Sequence, residues 1–93
     1  MKSIIQDEKE CFLCGTTNWL EEHHVFGGAN RKLSEKYGLK IYLCHKHHNE
    51  PPAGIHFDKG LMLTVKEESQ RAFMEHYGKT QQEFAKIFGR NYI

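Results

Sequence analysis

The sequence predicts a single α+β domain in which a β-hairpin and a short helix precede two C-terminal helices. Three observations predict this class: the chain has 93 residues, two β-favouring segments flank a glycine-rich break, and the last third carries two helix-capping signatures. A chain of this length fits one domain, but its apolar core alone is only marginally stabilising. We therefore expect a metal or a partner chain to contribute to its stability.

The first half of the chain contains both predicted strands. A polar lead-in, residues 1–10, precedes a strand within Trp19–Phe26, where β-favouring side chains are concentrated. Gly27–Asn30 break this strand, and Arg31–Tyr37 are expected to form a short helix or an ordered loop. Leu39–Leu43 alternates apolar and polar side chains, which predicts a second strand antiparallel to the first.

The last third of the chain is predicted to be helical. Thr64–Glu67 has the pattern of a capping box and predicts the start of a helix that ends at Gly78. Thr80–Glu83 repeats this pattern and predicts a second helix that ends at Gly89. Seven aromatic residues are expected in the core: Trp19, Phe26, Tyr42, Phe73, Tyr77, Phe84 and Phe88.

Composition and charge narrow the class of protein. Hydrophobic residues make up 39% and charged residues 27% of the chain, and no apolar run approaches the length of a membrane span. Met1–Ser3 lead into no secretory signal, so we expect a cytoplasmic protein. The net charge of +1 predicts no strong non-specific affinity for nucleic acid.

The three cysteines and one histidine have the spacing of a structural zinc site. Cys11 and Cys14 form a C-x-x-C motif, and Cys44 and His47 form a C-x-x-H motif after a long intervening segment. Thiolates and an imidazole suit the tetrahedron that Zn²⁺ prefers, and three cysteines are an odd number for a disulfide framework. His48 is an alternative fourth ligand, because C-x-x-x-H is also a permitted spacing. A redox pair is disfavoured, because the C-x-x-C motif lacks the βαβ context of thiol oxidoreductases.

A second group of histidines lies within and beside this segment. His23 and His24 are adjacent at the end of the first predicted strand, where neighbouring side chains point to opposite faces. One is therefore available to a metal while the other faces a substrate. His45 is expected to be exposed and to bind nothing. The stretch that follows Cys44 is predicted to be a helical turn that ends before Pro51–Pro52, with a loop beyond it.

These motifs resemble the HNH nucleases, which have the ββα-metal fold. A strand ending in His-His, a return strand, a Leu-Cys turn into a helix and a flanking C-x-x-C motif carry the resemblance. The segments HHVFGG, LSEKYGL, LCHKHHN, GIHFD and FGRNY further resemble the small HNH-like proteins of phages and prophages. The resemblance implies one domain, 1–93, with a zinc-stabilised ββα-metal core over residues 11–57 and C-terminal helices over 58–93.

The resemblance implies a role for each of four histidines. His24 corresponds to the general base that activates water against a DNA phosphodiester. His23 and His48 correspond to ligands of the catalytic divalent ion, Mg²⁺ or another metal, and His56 is the candidate for the third ligand. The ion would stabilise the charge that develops on the phosphate.

Other residues are assigned around that site. Arg31, Lys32 and Lys36 are candidates for contacts with DNA phosphates. Many HNH proteins carry an asparagine shortly before the Leu-Cys pair, where this chain has a leucine. Asn30 or Asn49 is expected to orient the hairpin or the base instead, although neither has the usual spacing.

The resemblance implies a phage-encoded, metal-dependent endonuclease that hydrolyses single- or double-stranded DNA in the cytoplasm of a bacterial host. A phage recombination or packaging protein is the expected partner, because the low net charge predicts modest affinity for DNA alone. The alternative is a zinc-stabilised nucleic-acid-binding or recombination adaptor without nuclease activity. The absent asparagine favours the adaptor, whereas the second group of histidines favours the enzyme.

Overall fold

A two-stranded antiparallel sheet organises the first half of the chain in the computed structural model, which describes all residues, 1–93. Strand β1 (Leu20–His24) pairs with strand β2 (Lys40–Cys44), with His23 opposite Ile41 and His24 opposite Lys40. Both predicted strands and their antiparallel pairing are confirmed. Because side chains alternate along a strand, the two histidines point to opposite faces of the hairpin.

The connection between the strands contains a short helix, α1 (Arg31–Tyr37), after a 3₁₀ turn at Gly28–Asn30. Gly38 ends this helix with a positive φ of 72°, which an L side chain rarely adopts. A Cβ atom at this position would also collide with the carbonyl oxygen of Lys2. Glycine is therefore needed here for the chain to turn from α1 into β2.

The N-terminal segment, predicted as a polar lead-in over residues 1–10, is hydrogen-bonded to the rest of the fold. The Ile4 N–H donates to the carbonyl of Gly38 at 2.9 Å, and the side-chain oxygen of Gln6 accepts from the Tyr42 N–H at 2.9 Å. Ile4 also packs against the apolar core. These contacts join residues more than thirty positions apart, which a local pattern cannot indicate.

Helix α2 (His45–Asn49) follows β2 directly, which confirms the predicted helical turn. Beyond it, the segment expected to be a loop forms a 3₁₀ turn at Ile55–Phe57. Ile55 is buried in the core, so the turn is anchored and its exposed neighbour His56 has a defined position. The short elements on either side of the two prolines therefore hold their histidines rigidly.

Helix α3 (Lys59–Tyr77) begins five residues before the predicted start at Thr64, so that prediction is wrong. Asp58 is the N-cap, and its Oδ1 accepts a hydrogen bond from the Leu61 N–H at 3.0 Å. The Thr64 hydroxyl instead donates to the carbonyl of Gly60 within the helix, at 3.0 Å. The capping pattern at Thr64 thus lies inside the helix. The true start was not predicted because Gly60, in the first turn, has a low helix propensity.

Replacing Asp58 by alanine should lower the free energy of unfolding by about 1 kcal/mol, because the Leu61 N–H loses its acceptor. The matched change Thr64→Ala should cost less than about 0.5 kcal/mol, because it removes only a redundant bond on an exposed surface. Denaturant unfolding of the metal-loaded protein measures both. A larger effect at Thr64 than at Asp58 would contradict the assigned helix start.

Helix α4 (Gln81–Phe88) confirms the second capping signature. The Thr80 hydroxyl accepts from the Glu83 N–H at 3.1 Å, and the Glu83 carboxylate accepts from the Thr80 N–H at 3.0 Å. Gly89 ends the helix with a φ of 92°. None of the helices combines the length with the apolar composition needed to cross a membrane.

The core is an aromatic cluster in which α3 and α4 pack against the residues that follow β1. Phe84 and Phe88 stack with their ring centroids 4.5 Å apart, and Phe73 meets Phe84 edge-on at 5.4 Å. Phe26 joins the cluster from the other side, 5.0 Å from Phe88. These four predicted core residues are buried, whereas Tyr42 and Tyr77 are only half-buried.

Trp19 is the clear exception to the predicted core, with 85% of its surface exposed. Its φ of 58° is the only positive value outside glycine, and the backbone therefore turns sharply where β1 begins. The next residue, Leu20, packs against the core instead. The prediction failed because it rested on the residue type, whereas the backbone conformation directs the indole to solvent.

Candidate metal centres

The first candidate centre is formed by the four residues predicted from the cysteine spacing. Cys11 and Cys14 come from the turn before β1, Cys44 ends β2, and His47 lies on α2. All four ligand atoms lie within 4.8 Å of one another. The cysteines form no disulfide. The hairpin pairing brings the two motifs together, because the residue that opens β1, Leu20, is registered opposite Cys44.

The distances in this Cys₃His group fit a tetrahedral zinc ion. The Sγ atoms of Cys14 and Cys44 are 3.9 Å apart, and the Nδ1 atom of His47 lies 3.2 Å from Cys44 Sγ and 3.8 Å from Cys11 Sγ. With Zn–S bonds of about 2.3 Å, a tetrahedron has sulfur–sulfur edges of about 3.8 Å. The group therefore has the spacing to bind a metal ion such as zinc, through Nδ1 of the histidine.

The protonation of the thiols also suits a metal. Burial raises the pKa of the Cys11 thiol, but hydrogen bonds from nearby backbone N–H groups outweigh burial, and the pKa falls to about 6. A hydrogen bond from the Thr16 N–H lowers the pKa of Cys14. Burial and the neighbouring thiols Cys11 and Cys44 together raise this pKa by more, so its net shift is upward. A lowered pKa favours the thiolate form of Cys11, which is the form that binds a metal ion.

The second candidate centre consists of three histidines. His23 comes from β1, His48 from α2 and His56 from the second 3₁₀ turn, and one ring nitrogen of each lies within 4.8 Å of the others. The ring centroids form a nearly equilateral triangle, 5.2 Å from His23 to each of the other two and 4.8 Å between His48 and His56. We call this group the three-histidine site. The structure thus brings together three residues that are far apart in the chain.

The buried nitrogen of His23 indicates that this site fits a cation. His23 is 5% exposed, and its Nε2 is the one buried side-chain polar atom without a hydrogen-bond partner. Such an orphan atom is unfavourable unless it binds something. Burial, and then proximity to His48, lowers the pKa of His23 to about 3. Burial also lowers the pKa of His56. Both imidazoles are therefore neutral at physiological pH, as metal ligands must be.

Glu21 supports the three-histidine site, a role that no sequence pattern predicted. Its Oε1 accepts hydrogen bonds from His48 Nδ1 at 2.8 Å and from Asn49 Nδ2 at 2.8 Å, and its Oε2 lies 3.1 Å from His45 Nδ1. Hydrogen bonds to His48 and His45 lower the pKa of this carboxyl. Glu21 and His23 are two positions apart on β1 and therefore share a face of the hairpin. Asn49 joins this network and does not contact His24.

His24 lies outside the three-histidine site. Its Nε2 is 3.1 Å from Glu35 Oε1, and Lys40 Nζ bridges the carboxylates of Glu35 at 2.9 Å and Glu22 at 3.2 Å. Lys40, and then His24, hold the pKa of the Glu35 carboxyl at about 2. His24, Glu22 and Glu35 form a third group with metal-ligand spacing, but the ammonium of Lys40 already supplies its positive charge. His24 is thus oriented by a carboxylate, on the opposite face from His23.

The remaining predicted residues occupy other parts of the surface. Asn30 donates from its side-chain amide to the carbonyl of Phe88 at 2.8 Å, so it joins the first 3₁₀ turn to α4 and does not orient His24. Arg31, Lys32 and Lys36 are exposed on α1 and take part in no salt bridge.

No protein-family model, curated protein or solved structure matches this chain. The geometry of the two candidate centres therefore carries the functional argument, and the resemblance to the HNH nucleases stays a prediction. The structure supports the broader statement that the chain has an α+β fold with one hairpin and four helices, and that its Cys₃His group has the geometry to bind a metal ion such as zinc.

Proposed function

We propose that the protein is a metal-dependent endonuclease of the HNH type that hydrolyses phosphodiester bonds in DNA. The observation that supports this most is the three-histidine site, in which three imidazoles lie close together and His23 has a buried Nε2 without a hydrogen-bond partner. The Cys₃His group alone would satisfy the need of a small domain for a stabilising metal. A second, open set of neutral ligands is the arrangement that catalytic metals require.

The donor set favours a particular kind of ion. His23, His48 and His56 offer three imidazole nitrogens and no carboxylate, and imidazole suits zinc, nickel, iron and copper better than it suits magnesium. Mg²⁺ is thus the less favourable of the two options implied by the resemblance. When bound, the ion would act as a Lewis acid on the phosphate and its leaving oxygen. His56 is exposed, so this side of the site is open to a substrate.

The chain's own residues supply the proton transfer in this proposal. His24 acts as the general base, and Glu35 holds its Nε2, which leaves Nδ1 to take a proton from water. The carboxylate fixes the tautomer and stabilises the imidazolium that forms, as in other histidine–carboxylate pairs. Lys40 keeps Glu35 ionised and therefore able to do so.

DNA is the proposed substrate, and the exposed cations of α1 are its proposed contacts. Arg31, Lys32 and Lys36 are free of intramolecular ion pairs and are therefore available to phosphates. The net charge of +1 supports a modest intrinsic affinity, so we propose that a phage recombination or packaging protein delivers the substrate in the bacterial cytoplasm.

One observation favours the second candidate function, a zinc-stabilised nucleic-acid adaptor. His24 faces away from the three-histidine site. For a general base at His24 and a metal ion at the three histidines to act on one phosphodiester, the substrate has to reach both faces of the hairpin. The face that carries Lys40 also has a cavity of about 680 Å³, whose lining includes Lys2 and Lys9 as well as the acidic residues Asp7 and Glu22. Lys2 and Lys9 form no salt bridge, and such lysines can bind phosphates without cutting them.

A plasmid-nicking assay distinguishes the two functions. We expect the zinc-loaded protein to convert supercoiled plasmid to nicked circles with Ni²⁺ or Zn²⁺, and less efficiently with Mg²⁺, because three imidazoles bind the softer ions better. His24→Ala should remain folded and lose at least about 100-fold in rate, because the general base contributes that much. His76→Ala, which removes a histidine of α3 outside both centres, should cut normally.

The outcomes separate the proposals. Absence of cleavage by the wild-type protein with every divalent ion, together with retained binding to DNA, would replace the nuclease by the adaptor. Cleavage that His24→Ala does not slow would keep the nuclease and remove His24 as its base.

A further inference from the structure

Behind the three-histidine site lies the carboxylate of Glu21, which no metal would touch directly. It accepts a hydrogen bond from His48 Nδ1 at 2.8 Å. The same carboxylate receives Asn49 Nδ2 at 2.8 Å, so the hydrogen bonds to two consecutive residues fix the position of α2 against β1. The side chain of His48 is 14% exposed and that of Glu21 is 37% exposed, so this contact is partly buried.

The contact determines which nitrogen of His48 faces the other two rings. A carboxylate oxygen can only accept, so Nδ1 carries the proton of this hydrogen bond, and in the neutral ring that a metal requires the lone pair is on Nε2. The rings of His23 and His56 lie 5.2 Å and 4.8 Å from the His48 ring, close enough for the three imidazoles to share one ion. The structure therefore specifies the tautomer of this ligand through a residue on a different element.

The charge of Glu21 also complements a bound cation. Three neutral imidazoles leave a divalent ion with its full charge of +2, and no carboxylate belongs to the ligand set. A carboxylate bonded to the far nitrogen of one ligand raises the basicity of that ligand and strengthens its bond to the metal. Glu21 is the only acidic residue that contacts any of the three histidines.

We propose that Glu21 is the positioning residue of the three-histidine site, holding His48 as its Nδ1–H tautomer so that Nε2 binds the divalent ion. This inference rests on the proposed function, because it assumes that the three histidines bind a metal. It goes beyond that function by assigning the ligand atom and the residue that selects it. Glu21 is distinct from Glu22, the next residue, which pairs with Lys40 on the opposite face of the hairpin.

The test uses the zinc-loaded protein and Ni²⁺ as the probe. Calorimetric titration measures the dissociation constant for nickel, and long-range ¹H–¹⁵N correlation spectra of the nickel-free protein report which nitrogen of His48 carries the proton. Glu21→Ala should weaken nickel binding by about 10- to 100-fold and abolish the preference for the Nδ1–H tautomer. Glu21→Gln should keep that tautomer, because an amide oxygen also accepts the hydrogen bond, and should weaken nickel binding by less.

Glu50→Gln is the matched control. Glu50 lies 3.7 Å from His45 and adds similar negative charge beside α2, but it does not contact His48. This variant should leave both readouts unchanged. Zinc content and the circular dichroism spectrum identify any variant that has not folded. If Glu21→Ala does not fold, Glu21→Gln is compared with the wild type in its place.

Two results would overturn the inference alone: nickel binding by Glu21→Ala that stays within twofold of the wild type, or a wild-type His48 that carries its proton on Nε2. Wild-type protein that binds no nickel at the three histidines would instead overturn the proposed function and, with it, the metal role of Glu21. Equal losses in Glu21→Ala and Glu50→Gln would attribute the effect to charge in general and also overturn the inference.

Discussion

Replacing Cys14 by alanine is expected to remove the structural zinc and to lower the free energy of unfolding by about 3 kcal/mol or more. The side chain is exposed, and substitutions at exposed positions usually change stability by less than about 0.5 kcal/mol. A large effect here therefore cannot come from lost packing. Cys44→Ala should be at least as destabilising, because this buried residue contributes to both the ligand set and the core.

The physical reason is that Cys14 itself is not part of the apolar core, although Cys11 belongs to it and Leu13 packs against it. The backbone of this segment is joined to the hairpin by the hydrogen bond from the Phe12 N–H to the Tyr42 carbonyl, at 2.8 Å. The free energy of binding structural zinc is about 10–16 kcal/mol in small peptides, comparable to the whole stability of a typical domain, about 5–15 kcal/mol. Losing one of four ligands therefore removes a large share of what stabilises a chain of this size.

Zinc content of the purified protein and thermal unfolding followed by circular dichroism measure this prediction. Thr17→Ala is the control, because Thr17 is exposed in the same segment and is not a ligand. It should keep one equivalent of zinc and unfold like the wild type, whereas a chelator added to the wild type should reproduce Cys14→Ala. A zinc-free Cys14→Ala variant that unfolds at the wild-type temperature would show that the metal does not stabilise this fold.

The Cys₃His group could be predicted from the sequence because metal chemistry restricts the spacing of its ligands. Cys11 and Cys14 are close in sequence, as are Cys44 and His47, so only the pairing of the two motifs depended on the fold. The two strands were also predictable, because their alternation is local. The register of the two strands could not be predicted in this way, and it is the register that places Cys44 opposite Leu20 at the start of β1.

The supporting carboxylates could not be predicted in this way. Glu21 and Glu35 have no distinctive spacing from the histidines they hold, because each contact is made by tertiary structure across elements. The same explanation covers Asn30, whose partner Phe88 lies far along the chain. Metal ligands can be predicted because metal chemistry restricts their spacing, and helices and strands because their apolar residues recur at regular intervals. The hydrogen-bond partners of those ligands depend instead on how the elements pack.

The second large effect concerns the adjacent histidines of α2, His47 and His48. We expect His47→Ala to lose the zinc ion and much of the stability, and His48→Ala to keep zinc and fold while cleavage of DNA falls by more than about 100-fold. Metal content, thermal unfolding and plasmid nicking measure the two variants side by side. The nickel affinity of His48→Ala should fall with its activity, because both depend on the same ligand.

The expected separation follows from helix geometry. Successive residues on a helix point about 100° apart, so adjacent side chains reach different surroundings. His47 Nδ1 lies 3.2 Å from the Cys44 sulfur, whereas His48 Nδ1 lies 2.8 Å from the Glu21 carboxylate and its ring is 5.2 Å from that of His23. One short helix thus supplies a ligand to each centre, on two of its sides.

The two variants also discriminate between the alternatives that the spacing left open, since C-x-x-H and C-x-x-x-H both fit zinc. If His48→Ala lost the zinc and His47→Ala kept it, the roles of the pair would be exchanged and the three-histidine site would lose its ligand from α2. Equal loss of zinc in both would mean that the centres do not bind metal independently. Both results would contradict the geometry of α2. The ring of His48 is held by Glu21 at Nδ1 and lies beside the ring of His56, so it is oriented toward the three-histidine site.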